Sequence, residues 1–391
     1  MINWGKRKLD EIIDTNAFSV GNDYPFERIK YLNTGSITEG RIENLQDILL
    51  SEAPSRAKRL VKENDIIYSS VRPNQRHYGF IINPVANLVV STGFVVISCK
   101  EAELNPKFLY YYLTSEQMVA YLHTIAEGST SAYPSLKPSD IKAQELLLPP
   151  LPEQQAIVTV LSSLDYKIDL LQRQNQTLEA LAQTLFRQWF LEEAQDERED
   201  CSLYDAIDLV GGGTPKTSEE SYWNGDINWL SGGDITKNHK NFVVSSEKKI
   251  TELGLKNSST KLLPEFSTVI SARGTVGKYC ILAEPMAFSQ TSYGIIPKFE
   301  NCFFFTYLLI DFSVSELLSA AYGSVFDTIT TRTFQNHQIS IPSVVEIMSF
   351  EERITPYFLR MKLNQDQVLT LEKLRDTLLP KLMSGEVGVM V

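Results

Sequence analysis

The chain has 391 residues, 43% hydrophobic and 22% charged, which excludes a disordered segment and is too long for one ordinary core, so two domains plus connecting elements are expected. A formal net charge of −11 opposes non-specific attraction to nucleic acid or anionic lipid and leaves only a localised basic face as a route to either. Cys99, Cys201, Cys280 and Cys302 lie far apart and the four histidines are scattered, so neither a metal centre nor a redox couple is indicated, and no cofactor is expected.

Nothing resembles a signal peptide. The most apolar run, "CFFFTYLLIDF" at 302–312, is too short to span a bilayer and is broken by Asp311, so a cytoplasmic protein with no membrane partner is expected. Residues 1–148 show short alternating runs such as "DIIYSSV", Gly, Pro and Asn turns, and a helix over "PKFLYYYLTSEQMVAYLHTIA". Residues 196–341 repeat the pattern, with "STVISA", "QISIPS" and a helix over "FFFTYLLIDFSVSELLSAA". Each is expected to be an α+β domain with a strongly bent sheet.

The two stretches are copies of one another. "IKYLNTGSIT" at 29 returns as "INWLSGGDIT" at 227, 198 residues on, and "DIIYSSVR" at 65 returns as "STVISAR" at 267. Each is followed by a connector, 149–195 and 342–391. There "LEALAQTLFRQWF" at 178 matches "LEKLRDTLLPKLM" at 371, 193 residues on, and Pro149 maps on Pro342 at the same offset without insertion or deletion. The charged run "LEEAQDERED" at 191–200 reads as a solvated helix end and linker.

"LPPLPEQQAIV" at 148–158 ends the first domain and opens a long helix. From there Ile157, Leu161, Leu164, Ile168, Leu171, Asn175, Leu178, Ala182, Leu185 and Trp189 recur at steps of four and three, the seam of a coiled coil. The second connector has Phe350, Ile354, Tyr357, Met361, Asn364, Val368, Leu371, Arg375, Leu378 and Leu382 in the same frame. Asn175 falls at an a position and Asn364 at a d position. Since a faces d in antiparallel pairs and a buried amide seeks another, partners are expected to have numbers adding to 539. Pro356 and Pro380 are expected to kink or bound the second helix. The competing arrangement packs each helix on its own domain, with both asparagines in water. At 1.5 Å per residue the first helix reaches about 55 Å, a constant-length spacer between two domains.

Catalytic motifs are missing. "LVGGGTPKTS" and "ARGTVGKY" have the wrong glycine-to-lysine spacing for a phosphate loop, and Tyr279 stands where a magnesium-binding hydroxyl belongs. There is no G-x-G-x-x-G after a strand, no Asn-Pro-Pro-Tyr and no G-x-S-x-G. Asp234, Glu247 and Lys249 make a loose nuclease-like spacing that a charged turn explains as well.

Candidate DNA-binding residues collect in two places. In the first domain these are Arg56, Lys58, Arg59, Arg72, Asn74, Gln75 and Arg76, with Lys62, His77 and Tyr78 nearby. In the second they are Lys216, Thr217, Lys237, Lys240, Arg273, Thr275 and Lys278. Arg, Asn and Gln suit base edges, whereas Lys and hydroxyls suit phosphates. Two similar domains on a fixed spacer would read two short, separated sequences, and differences between the halves would make the target asymmetric.

The quoted connectors, together with "VGGGTPKTSEESYWNGDINWLSGGDIT", "VISARGTVGKY", "GSTSAYPSLKPSDIKAQELLLPPLPEQ" and "LLPKLMSGEVGV", resemble the DNA-specificity subunit of type I restriction-modification enzymes over essentially the whole chain. That resemblance implies two target recognition domains, each reading half of a bipartite double-stranded DNA site, joined by two antiparallel helices. It also implies two modification (methyltransferase) subunits bound to those helices, which carry S-adenosylmethionine and methylate adenine, and restriction/translocase subunits joining for cleavage. The specificity subunit is itself non-catalytic. One departure is "IPSVVEIMSFEERI" at 341–354, which lacks the proline-rich lead-in of the first connector, so the second helix is expected to begin differently. A lone nuclease or methyltransferase, and a coiled-coil scaffold without a DNA role, are the competing functions.

Overall fold

The computed structural model describes residues 4–100, 103–129, 133–192, 198–322 and 328–389. It divides into two compact units: Met1–Lys167 with Leu371–Val391, and Ile168–Thr370.

In the first unit one sheet has the order Gln46–Leu49, Arg28–Leu32, Leu88–Ser91, Ala57–Leu60. A second has the order Ile13–Thr15, Phe94–Cys99, Ile66–Ser69, Tyr78–Phe80. In the second unit the orders are Lys248–Ile250, Trp223–Leu230, Met286–Phe288, Leu262–Leu263, and Ile207–Gly211, Ser292–Pro297, Thr268–Ser271, Tyr279–Leu282, with Phe242–Val243 added at the edge. The two orders are the same strand for strand. The parallel pair also recurs, Arg28–Leu32 with Leu88–Ser91 and Trp223–Leu230 with Met286–Phe288. The internal repeat is therefore a repeat of topology, in an α+β fold.

The strands do not alternate as expected. Ile66–Ser69, Leu88–Ser91, Thr268–Ser271 and Tyr279–Leu282 are buried at every position. Ile66 and Tyr68 join a core with Phe108, Leu109, Ile157 and Leu161, while Ile67 joins Leu32, Val90 and Val96 of the other face. The second unit is layered alike: Ile270, Tyr279 and Ile281 pack with Phe305, Tyr307 and Phe350, whereas Val269, Cys280 and Leu282 pack with Leu230 and Phe288. A strand covered by helices on one side and a sheet on the other must be apolar on both.

The expected helix over 106–126 is two, Pro106–Thr114 and Glu116–Glu127, because Ser115 leaves helical geometry and its hydroxyl caps the second. Its counterpart Phe303–Tyr322 is continuous. That helix is longer than the apolar run suggested and, by length and composition alone, could cross a membrane, yet half of the stretch is buried in the unit.

The central helix spans Leu151–Arg187 and the C-terminal helix Val344–Ser384. Pro152 sits in the first turn, where its missing N–H has no partner to lose. Fully buried Gln154 donates to the carbonyls of Pro149 (2.8 Å) and Glu103 (2.7 Å) and accepts from the N–H of Asn105 (2.7 Å), itself the cap of Pro106–Thr114. One amide thus ties the proline junction to the first domain's helix. The C-terminal helix begins instead with a capping box: Ser343 donates from its hydroxyl to Glu346 (2.8 Å) and Glu346 accepts the Ser343 N–H (3.0 Å). That hydroxyl and carboxylate replace the missing prolines. The helix runs through both Pro356 and Pro380, so neither bounds it. Phe350, Ile354 and Phe358 are buried around Pro356, and this packing outweighs one lost backbone bond. The helix stops at left-handed Gly385.

In the second unit the two helices run antiparallel: Asn175 meets Asn364, and Trp189 meets Phe350 at 5.4 Å between rings. Asn364 donates to the Asn175 carbonyl (2.8 Å) and to Gln174 (3.0 Å), and Asn175 donates to the backbone carbonyl of Met361 (3.2 Å). In the first unit Arg375 reaches Asp165 at 3.2 Å, which also accepts from the Tyr111 hydroxyl at 2.6 Å. Glu351, buried, accepts the N–H groups of Phe304 (3.0 Å) and Phe305 (2.7 Å), the otherwise unpaired donors at the start of Phe303–Tyr322.

Two stability outcomes follow from these contacts. Asn175→Leu leaves Asn364 with Gln174 as its side-chain acceptor and should cost about 1–2 kcal/mol in urea unfolding of the intact chain, with part of the loss recovered in Asn175→Leu/Asn364→Leu. A single variant as stable as wild type would refute the role of the pair. Burial raises the Glu351 carboxyl from 4.5 to about 7, so the folded state holds this proton more tightly than the unfolded chain. Its contribution to stability therefore falls as pH rises from 4.5 to 7 and is level above that. Glu351→Gln should remove on the order of 1–3 kcal/mol from the stability difference between pH 5 and pH 8; identical pH dependence in both proteins would count against a protonated Glu351.

Candidate nucleic-acid interface

Equivalent hairpins carry the central candidates of both units. In the first, Ser69 and Tyr78 bracket the loop; in the second, Ser271 and Tyr279 do so. The same bonds fold both turns. The Ser69 hydroxyl donates to the Val71 carbonyl (2.9 Å) and its N–H to the His77 carbonyl (2.8 Å), as Ser271 does to Arg273 (3.1 Å) and Lys278 (2.7 Å). Left-handed backbone follows at matching places, Arg72 (φ 47°) and Arg76 (φ 56°) in one loop, Gly274 and Gly277 (both φ 80°) in the other.

Within the first loop Arg72, Asn74 and Gln75 are exposed. The Arg72 guanidinium stands 5.4 Å from the ring centroid of Tyr133, and the backbone N–H of Arg72 donates to the Pro134 carbonyl. Arg76 is held by Glu39 at 3.0 Å and by Glu116, and His77 Nδ1 bonds the Ile37 carbonyl at 2.6 Å. Segments around 37–40 and 133–136 therefore buttress the loop. Arg56 and Lys58 are exposed, but Arg59, one residue on along Ala57–Leu60, points to the opposite face. Its half-buried guanidinium is shifted downward by desolvation.

In the second unit Lys216, Thr217, Lys237 and Arg273 are exposed. Thr275 accepts from the Thr236 hydroxyl at 2.8 Å, which brings the repeated "SGGDIT" stretch beside the hairpin loop. Lys278 is half-buried. Lys240 pairs with Asp311 at 2.8 Å and lies over the Tyr279 ring. Asp311 also accepts from Gln183 (2.7 Å) and from the Tyr279 hydroxyl, while Tyr307 donates to Glu179 at 2.9 Å. Burial raises both the Glu179 carboxyl and the Tyr279 hydroxyl above their ordinary ranges. This buried network fastens the strand that leaves the loop to the central helix.

The nuclease-like spacing has a structural use. Asp234 accepts the hydroxyl (2.6 Å) and N–H (2.9 Å) of Ser231 as a capping box, and the N–H of Glu247 (3.0 Å), so its carboxylate is committed to a turn. In "LVGGGTPKTS", a Cβ on Gly213 would lie 2.2 Å from the Thr260 nitrogen, so this glycine allows two backbones to meet. Among the described residues no group of three or more His, Cys, Asp or Glu is arranged to hold a metal. Sequence reasoning missed Tyr133, Thr236 and the carboxylates Glu39, Glu116 and Asp311, which are distant in sequence from the residues they meet.

A family model described as "Type I restriction modification DNA specificity domain" matches residues 1–180 and 196–363. The chain is 26% identical to the type I restriction enzyme HindI specificity subunit of Haemophilus influenzae, over 94% of this chain and 95% of that one. It is 27% identical to the type I restriction enzyme MjaIX specificity subunit of Methanocaldococcus jannaschii, over 99% and 94%. The crystal structure of the type I restriction-modification system S subunit from M. genitalium shares the fold with a TM-score of 0.59, at 16% identity over 97% and 96% of the two chains.

Proposed function

Because the chain belongs to the type I restriction modification DNA specificity family, whose members recognise DNA sequence and are not themselves catalytic, we propose that it reads an asymmetric, bipartite site in double-stranded DNA, one half with each domain. The observation that carries this reading is the repeated strand order on which unlike loops are mounted: Arg72, Asn74 and Gln75 in one half, Arg273, Thr275 and Lys278 in the other. A shared scaffold with different loop chemistry suits two different short sequences. Arg56, Lys58, Lys216, Thr217 and Lys237 supply phosphate contacts in this scheme, while Arg76 and Lys240, held by carboxylates, brace the loops. The overall negative charge then limits binding away from the site.

The same proposal has the connector helices recruit two modification subunits, with restriction/translocase subunits joining the complex, in the cytoplasm. Leu170, Leu181, Leu359 and Leu363 support it, since these leucines are 41–47% exposed on helices whose seams are already filled. The number of helical residues between the domains sets the length of the unread gap in the DNA.

Mapping methylation after co-expression with the modification subunit tests the whole scheme. Removing one heptad from each connector, about 10 Å of helix, should shorten the gap by about three base pairs and leave both half-sites unchanged. An unchanged gap would remove the spacer role. The purified chain alone, given DNA, magnesium and S-adenosylmethionine, should turn nothing over; turnover would favour a self-contained enzyme.

A further inference from the structure

Arginine at a left-handed position is sterically costly, and glycine is the residue that takes such backbone freely. The hairpin of the second unit uses Gly274 where the first has Arg72, the match being set by the serine hydroxyl that closes each turn onto the carbonyl just before it. The side chain of Arg72 therefore has to supply something a glycine cannot. Among the described residues it makes no ion pair, in contrast to Arg76, which Glu39 and Glu116 hold. Instead its guanidinium is exposed, set against the exposed ring of Tyr133, which orients the planar fork at low entropic cost.

Resting on the DNA-reading role proposed above, we infer that Arg72 determines specificity in the first half-site, presenting its fork to the O6 and N7 acceptors of one guanine with Tyr133 fixing its plane. A planar bidentate donor matches that pair of acceptors, and neither the single ammonium of lysine nor a hydroxyl reproduces the match. Asn74 and Gln75, one and two residues beyond Pro73 on the same loop, offer amides to neighbouring bases. The left-handed backbone is retained because it aims the fork out of the loop.

The test uses the full chain reconstituted with its modification subunit, as wild type, Arg72→Gly and Arg72→Lys. Binding is measured against DNA randomised over the first half-site, and urea unfolding is followed on each chain. Arg72→Gly should unfold at a midpoint no lower than wild type, yet bind the preferred site about 10- to 100-fold more weakly, with preference lost at a single G·C pair and the second half-site read as before. Arg72→Lys should lose the same preference while keeping the salt dependence of binding. An even loss of affinity across all sequences would mark a phosphate contact and overturn the assignment, as would an unaltered sequence profile or a lower unfolding midpoint for Arg72→Gly. A wild-type complex that selected no sequence in either half would overturn the DNA-reading role as well.

Discussion

Two long amphipathic helices with apolar seams can pair in several registers, each differing from the next by a heptad and burying similar area. The amides of Asn175 and Asn364 remove that freedom. Shifted by a heptad, neither would face the other's amide, and the Asn364-to-Asn175 hydrogen bond would be lost. Everything that the second unit hangs on the helices depends on this choice: Trp189 against Phe350, Glu179 below the Tyr307 hydroxyl, and Glu351 at the start of Phe303–Tyr322. The amide pair adds little to affinity between the helices. Its effect is on which residues of the helices meet the domain.

The domain side of that contact is polar where it has to be directional and aromatic where it has to be large. Phe186, Phe190, Phe305 and Phe350 form an edge-to-face cluster, and Phe304 stacks on Phe358 at 4.5 Å. Beside them the carboxylates of Glu179 and Asp311 are satisfied by tyrosine, glutamine and lysine. Aromatic area supplies the free energy, and the buried hydrogen bonds select one orientation. The first unit meets the same need with Gln154, Asp165 and Tyr111.

The seam and the repeat were legible in the sequence because both are periodic: steps of three and four mark a helix pair, and constant offsets mark a copied domain. The strands were harder. Alternation signals one covered face, whereas Ile66–Ser69 and Thr268–Ser271 are covered on both, so their pattern is only a short apolar run. The prolines of the C-terminal helix do not bound it, because their local cost is read from sequence and the packing that offsets it is not. The basic loop residues were visible, but which of them are committed elsewhere was not. Glu39 and Glu116 hold Arg76 from 37 and 40 residues away, and Asp311 holds Lys240 from 71. Charge is local in sequence while its neutralisation is long-range.

Each unit is closed by a short antiparallel ribbon, Gly5–Lys8 with Glu145–Leu148 and Glu199–Ser202 with Gln338–Ile341. The chain thus arrives and departs side by side, at the spacing of hydrogen-bonded neighbours, about 5 Å. All length variation between those two strands is topologically enclosed. The one-residue difference between the hairpin loops, the extra edge strand Phe242–Val243 and the split of one helix at Ser115 are absorbed inside the ribbon and are not transmitted to the helix that follows. Such a domain behaves as a cartridge: its contents are free to diverge residue by residue, while the two paired strands present the connector with the same fixed pair of ends.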